Sequence, residues 1–167
     1  MVYLIHENKK CNWGKLRDVK MNGYTNKERK GNDNRKRKEY GKYQNPQVWG
    51  IYFADLPKIE GSHILHGKRP VIVYSNNICN NTSTEINVYP ITKKLRNWIP
   101  THVTIYPNTS NGLKMVSQVY LEQGRTIPKN NLLEYWGRIS DLSLMLKIGH
   151  GILIQNGMLS YMNAMAS

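Results

Sequence analysis

Arg69-Pro70-Val71-Ile72-Val73-Tyr74-Ser75 and Glu85-Ile86-Asn87-Val88-Tyr89-Pro90-Ile91-Thr92 decide the fold. Each is a short run of apolar, β-branched and aromatic residues bounded by turn formers, so each reads as a strand. Pro70 sits at the first position of its strand, where a missing N–H is tolerated. Working outward, Val48 to Ala54 reads as an earlier strand closed by Asp55 and Pro57, and Lys58 to Lys68 as a loop carrying Gly61 and Gly67. Asn76 to Ser83 is a loop by composition. Thr101 to Tyr106 and Ser117 to Gln123 read as the fourth and fifth strands. Ser140 or Asp141 then caps a helix in which Leu142, Met145, Leu146, Gly149, Ile152 and Leu153 recur at helical spacing. Five short strands followed by one amphipathic helix predict a mainly β protein of the α+β kind. The expected shape is a small, curved antiparallel sheet or barrel with a covering helix. No repeat of solenoid period is visible.

The chain has 167 residues, with 24 Lys and Arg against 11 Asp and Glu, a formal charge of +13. No apolar run is long enough for a transmembrane helix, and the apolar start at Val2 to Ile5 is too short for a signal-peptide core. Cys11 and Cys79 have neither a disulfide framework nor zinc spacing around them. Reducing cytoplasm is the expected compartment.

The charge is uneven. Residues 1–45 hold 13 basic and 5 acidic residues, a net of +8, whereas residues 46–167 hold 11 and 6, a net of +5. Between Asn26 and Asn45 there is no Ile, Leu, Val, Met, Phe or Trp, and the run Arg35-Lys36-Arg37-Lys38 falls there. Such composition cannot offset its ordering entropy by burial. We therefore divide the chain into a basic, flexible extension (1–46) and a folded domain (47–167). A polybasic arm that tracks a nucleic-acid backbone and a plain solvated linker both fit the extension.

The order of short motifs in the domain resembles the MazF/PemK (Kid-like) toxins of type II toxin–antitoxin systems. The pieces are Trp49-Gly50-Ile51-Tyr52-Phe53-Ala54-Asp55-Leu56, Gly61-Ser62-His63, Gly67-Lys68-Arg69-Pro70-Val71, Pro90-Ile91-Thr92, Pro100-Thr101-His102-Val103, Gly112-Leu113 and Ser117 with Leu121-Glu122-Gln123 and Arg125-Thr126-Ile127. They run in family order over about residues 48–154. The resemblance implies an SH3-like, plasmid-maintenance-toxin barrel that forms a homodimer, cuts single-stranded RNA without a metal or cofactor, and is covered by a cognate antitoxin. It implies no membrane partner. A CcdB-type gyrase poison shares the barrel, but such proteins act through a C-terminal Trp-Gly-Ile tail, and this chain ends Asn163-Ala164-Met165-Ala166-Ser167. A non-catalytic RNA-binding module is the other alternative.

RNA carries its own nucleophile, the 2′-hydroxyl, so an RNA-cutting protein need only align the attack, stabilise charge on phosphorus and move protons. The resemblance places Arg69 at the phosphate, where a forked, permanently charged donor suits an oxyanion. It places Thr92 beside it, to bond a phosphate oxygen or orient the 2′-hydroxyl. Glu122 occupies the position of an acid in Kid-like members and is a candidate general base. Those members carry an arginine two residues earlier, and this chain has Tyr120 there, which favours a scheme built on Arg69 and Thr92. A structural role for Glu122, paired with a buried donor, stays open. His63, where glutamate is usual, and His66 are candidate proton carriers, and His102 reads as a structural strand residue. Ser62, His66, Lys68, Lys93, Lys94, Arg96 and Trp98 are the expected RNA-binding set, with the cations on phosphates and Trp98 stacked on a base. Trp98 filling a core gap or a dimer interface is the alternative. The loop histidines with Glu60 are too few for a metal site.

Overall fold

The structure, a computed structural model, describes residues 45–96 and 98–166. The basic extension lies outside the described residues except for Asn45 and Pro46 at its end. Seven strands and three helices follow: β1 (Gly50–Leu56), β2 (Gly67–Val73), α1 (Asn77–Thr82), β3 (Glu85–Thr92), β4 (His102–Ile105), β5 (Ser117–Tyr120), β6 (Arg125–Pro128), β7 (Leu132–Arg138), α2 (Leu142–Gln155) and α3 (Leu159–Ala166).

All pairings are antiparallel, in the order β4-β5-β3-β2-β1-β7, with β6 added to β3. Alternation along the strands sends side chains to two opposite faces. Ile51, Ile72 and Tyr89, in register across β1, β2 and β3, enter one core with Ile91, Val119, Leu121 and Ile148 of α2. Tyr52, Val71, Val73 and Val88 enter the other, with Ile86, Ile127 and Leu132. The sheet curls until the loop after β4 meets β7, where the Arg138 N–H donates to Ser110 O at 2.8 Å. Glycines on both sides permit this closure. A Cβ on Gly112 would lie 2.2 Å from Trp136 O, and one on Gly137 would lie 2.2 Å from Ser110 O.

The mainly β class with a covering helix stands, and four local expectations are corrected. Val48 and Trp49 form a turn before β1, with Trp49 at φ 67°, so the first strand starts two residues later and runs on to Leu56. The expected loop at 76–83 contains α1, because Asn76 caps it through Cys79 N and buried Asn80 donates to Ser75 O and accepts from its hydroxyl. The fifth strand ends at Tyr120, and Leu121–Gln123 form a 3₁₀ turn that re-aims Glu122. Two strands, β6 and β7, and the terminal helix α3 were not expected. Asp141 is the cap of α2, accepting from Ser143 N at 2.8 Å.

Candidate active site

Arg69 and Thr92 come from neighbouring strands. The β2–β3 register pairs Val71 with Pro90, and continued by two residues it sets Arg69 across from Thr92. Both line one cavity of about 410 Å³, together with Lys68, Lys93, Lys114 and Trp136. Arg69 is half-buried, and its Nε and Nη2 both donate to the His66 carbonyl, the former at 2.9 Å. Burial pulls its pKa below the ordinary arginine value. The Thr92 hydroxyl accepts from Lys94 N at 3.2 Å, which fixes the turn that leaves β3.

Thr92 also lines a second cavity, of about 610 Å³, which includes His63, Lys94, Arg96, His102 and Glu122. Glu122 is engaged at both oxygens: Thr101 Oγ1 donates to Oε2 at 3.0 Å, and His102 Nε2 lies 2.8 Å from Oε1. The His102 ring is stacked on Tyr120 at 3.7 Å, and its side chain is only 2% exposed. Tyr120, standing where Kid-like toxins carry arginine, therefore clamps the histidine and donates its hydroxyl to Lys94 O at 2.8 Å.

The other expected residues are distributed around these cavities. Ser62 accepts from Ile64 N within the β1–β2 loop, and His66 Nδ1 faces Ile64 O, so both serve the loop's own turn. That loop is tied down by Leu65 N donating to Gln123 Oε1 at 2.8 Å. Lys68, Lys93, Lys94 and Arg96 are exposed at the cavity rims. Trp98 is 98% exposed with φ 80°, so within this chain it fills no core gap. Among the described residues no group of three His, Cys, Asp or Glu side chains gathers to hold a metal ion.

Two residues escaped the sequence reading. His102 stands on β4, as its reading as a strand residue expects, and its place in the cavity wall is what went unread; only its nearness to Glu122 reveals this, and that contact spans 20 positions. Arg125 is the other. Its motif was noticed, but nothing in residue type marks an arginine whose terminal nitrogens are buried without an acceptor.

Residues 47–152 match the family model described as the PemK-like, MazF-like toxin of type II toxin–antitoxin systems. The chain belongs to this family. It is 36% identical over 109 residues to the endoribonuclease MazF of Staphylococcus saprophyticus, covering 65% of this chain and 88% of that protein. It is 34% identical over 112 residues to the endoribonuclease EndoA of Bacillus subtilis, covering 66% and 94% respectively. Among solved structures, a mycobacterial endoribonuclease in complex with its cognate antitoxin superposes with a TM-score of 0.54 at 25% identity, covering 67% of this chain and 95% of that one. The gyrase-poison alternative finds no support in these matches. The matched span leaves out the basic extension.

Proposed function

We propose that this chain is a sequence-specific endoribonuclease toxin that cleaves single-stranded RNA by attack of the RNA 2′-hydroxyl on the adjacent phosphate. The attack forms the 2′-O–P bond of a cyclic phosphate and breaks the P–O5′ bond. The 2′-hydroxyl proton goes to a base, and the leaving 5′-oxygen takes one from an acid. DNA, without the 2′-hydroxyl, is not a substrate. The observation that carries the reading is the placement of Arg69 and Thr92 on adjoining strands at one cavity. There the guanidinium can turn from the His66 carbonyl to the non-bridging phosphate oxygens, with the Thr92 hydroxyl beside it.

The proton steps fall to the second cavity. Glu122, oriented by Thr101 and His102, is the base, and His63 across the cavity is the acid. Lys68, Lys93, Lys94 and Arg96 take flanking phosphates, and Trp98 offers a base an uncovered indole face.

The protein works in the cytoplasm, where its RNA is, and no helix among the described residues is long and apolar enough to cross a membrane. A cognate antitoxin blocks the site, as supported by the relative solved with one. The protein acts as a homodimer. That part rests on Tyr106, Leu142 and Leu146, each at least 65% exposed along a groove of about 880 Å³ between β4 and α2.

The decisive experiment incubates purified protein with a long single-stranded RNA in EDTA and maps ends by primer extension. Discrete cuts that vanish with Arg69→Ala support the reading. Absence of cuts, with RNA still bound, would instead favour a non-catalytic RNA-binding module.

A further inference from the structure

Among the described residues Arg125 has no carboxylate partner. Its Nε donates to Gln123 O at 3.4 Å, while Nη1 and Nη2 are shut off from solvent and have no acceptor among the described residues. A buried guanidinium is ordinarily paired, because an uncompensated buried charge is costly. Here the charge felt most is another cation: burial first, and then Arg69, pull the Arg125 pKa down.

The strand register sets the two arginines on one face. Arg125 on β6 faces Val88 on β3, and Val88 faces Val73 on β2. Directly paired residues point to the same face, as do residues two apart along a strand. Arg125, Val73, Val71 and Arg69 therefore share a face, and Thr92 shares it four residues beyond Val88. Gln123 links this group to the β1–β2 loop, since its carbonyl takes Arg125 Nε and its side chain takes Leu65 N.

We propose that Arg125 is a second phosphate-binding arginine of the RNA site, forming with Arg69 a paired cradle whose unmatched Nη donors are filled by phosphate oxygens. The inference rests on the ribonuclease reading above. Two guanidinium groups on one face, neither paired with an acid among the described residues, repel each other until an anion arrives, and a phosphate offers acceptors to both forks at once. Because the Nη atoms are closed off, the phosphate reaches them only when the groups that cover them move aside.

The test compares the full chain with Arg125→Met and Arg125→Lys. It measures melting temperature, affinity for a random-sequence RNA methylated at every 2′-hydroxyl and hence uncleavable, and cleavage of ordinary RNA. Removing an unpaired buried cation should raise the melting temperature of the free Arg125→Met protein, weaken binding about 10- to 100-fold and slow cleavage. Arg125→Lys should recover part of the affinity. A lower melting temperature with unchanged affinity would assign Arg125 to packing and overturn the proposal, as would a higher one with unchanged affinity and cleavage. Should Arg125→Met not fold, Arg125→Gln is read in the same way. Native protein that binds polyglutamate but not the methylated RNA would overturn this inference and the ribonuclease reading together. Native binding that the variants leave intact would overturn only this inference.

Discussion

His102 and Glu122 meet at 2.8 Å between Nε2 and Oε1, although one belongs to β4 and the other to the 3₁₀ turn after β5. The register that sets His102 opposite Tyr120 brings them together, and the tight turn at Leu121–Gln123 then swings the carboxylate back over the imidazole. A straight continuation of β5 would have carried Glu122 past the ring. Glu122→Ala would leave buried His102 Nε2 and Thr101 Oγ1 without their acceptor, a loss of about 1–3 kcal/mol in urea denaturation. Glu122→Gln retains an acceptor and nearly the same shape. It should keep most of that stability while cleavage falls about 100-fold. Undiminished cleavage by Glu122→Gln would reduce the carboxylate to a structural prop.

Arg69→Ala and Thr92→Ala should each relieve growth arrest when the protein is expressed without an antitoxin. For Arg69→Ala the single-turnover cleavage rate should fall about 10²- to 10³-fold, the usual consequence of losing an oxyanion donor. Thr92→Ser retains the hydroxyl and should stay within about tenfold of the native rate, and an equal loss for serine and alanine would argue against a role for that oxygen.

The seam between β7 and the loop after β4 should be intolerant of side chains. Gly112 has φ 68°, and both it and Gly137 face a carbonyl oxygen 2.2 Å from the place of a Cβ. Gly137→Ala and Gly112→Ala should each cost about 3 kcal/mol. Gly61, at φ 73° with nothing within 4 Å, supplies the control, and its replacement by alanine should cost only about 1 kcal/mol. Calorimetric melting of the three variants measures the contrast.

Tyr74 and Tyr89 are stacked with ring centroids 3.9 Å apart, and burial raises both phenolic pKa values, that of Tyr89 the further. Below pH ~10, where tyrosines of the unfolded chain begin to ionise, their contribution to stability is complete. Above it the unfolded chain sheds protons that the native pair still holds, so stability falls as pH rises. The denaturation midpoint should therefore be steady through neutral pH and drop in strong alkali, with a shallower drop for Tyr89→Phe.

Deleting residues 1–45 should flatten the salt dependence of RNA binding and leave the choice of cleavage site unchanged, if the basic extension meets phosphates. An unaltered slope in binding assays across a salt series would make it a linker.

The sequence was most legible where a strand is both regular and buried. Glu85–Thr92 was delimited to the residue because its apolar side chains fill two cores and turn formers flank it. β7 was missed because Leu133, Glu134 and Tyr135 are consecutive exposed positions, interrupted by register shifts against β1, so no alternation survives. β6 is four residues ending in proline, held by pairing with β3 more than by any preference of its own. α1 is a single asparagine-rich turn whose helical form depends on the Asn76 cap and the buried Asn80 contacts. The site shows the same division. Arg69 and Thr92 could be read because they sit within local motifs. The His102–Glu122 contact and the isolation of Arg125 arise only when distant strands align, and no local pattern encodes them.

Gln118 holds the segment after β3 by its main chain alone: Arg96 N donates to Oε1 at 2.8 Å, and Nε2 donates to Arg96 O at 3.2 Å. Tyr120 does the same at Lys94 O. These grips are blind to which side chains positions 94 and 96 bear, and the side chains there point outward. Substitutions at the cavity rim can therefore accumulate without unsettling the barrel. The grip on the RNA backbone can thus be strengthened or relaxed at positions 94 and 96 while the barrel beneath stays as it is.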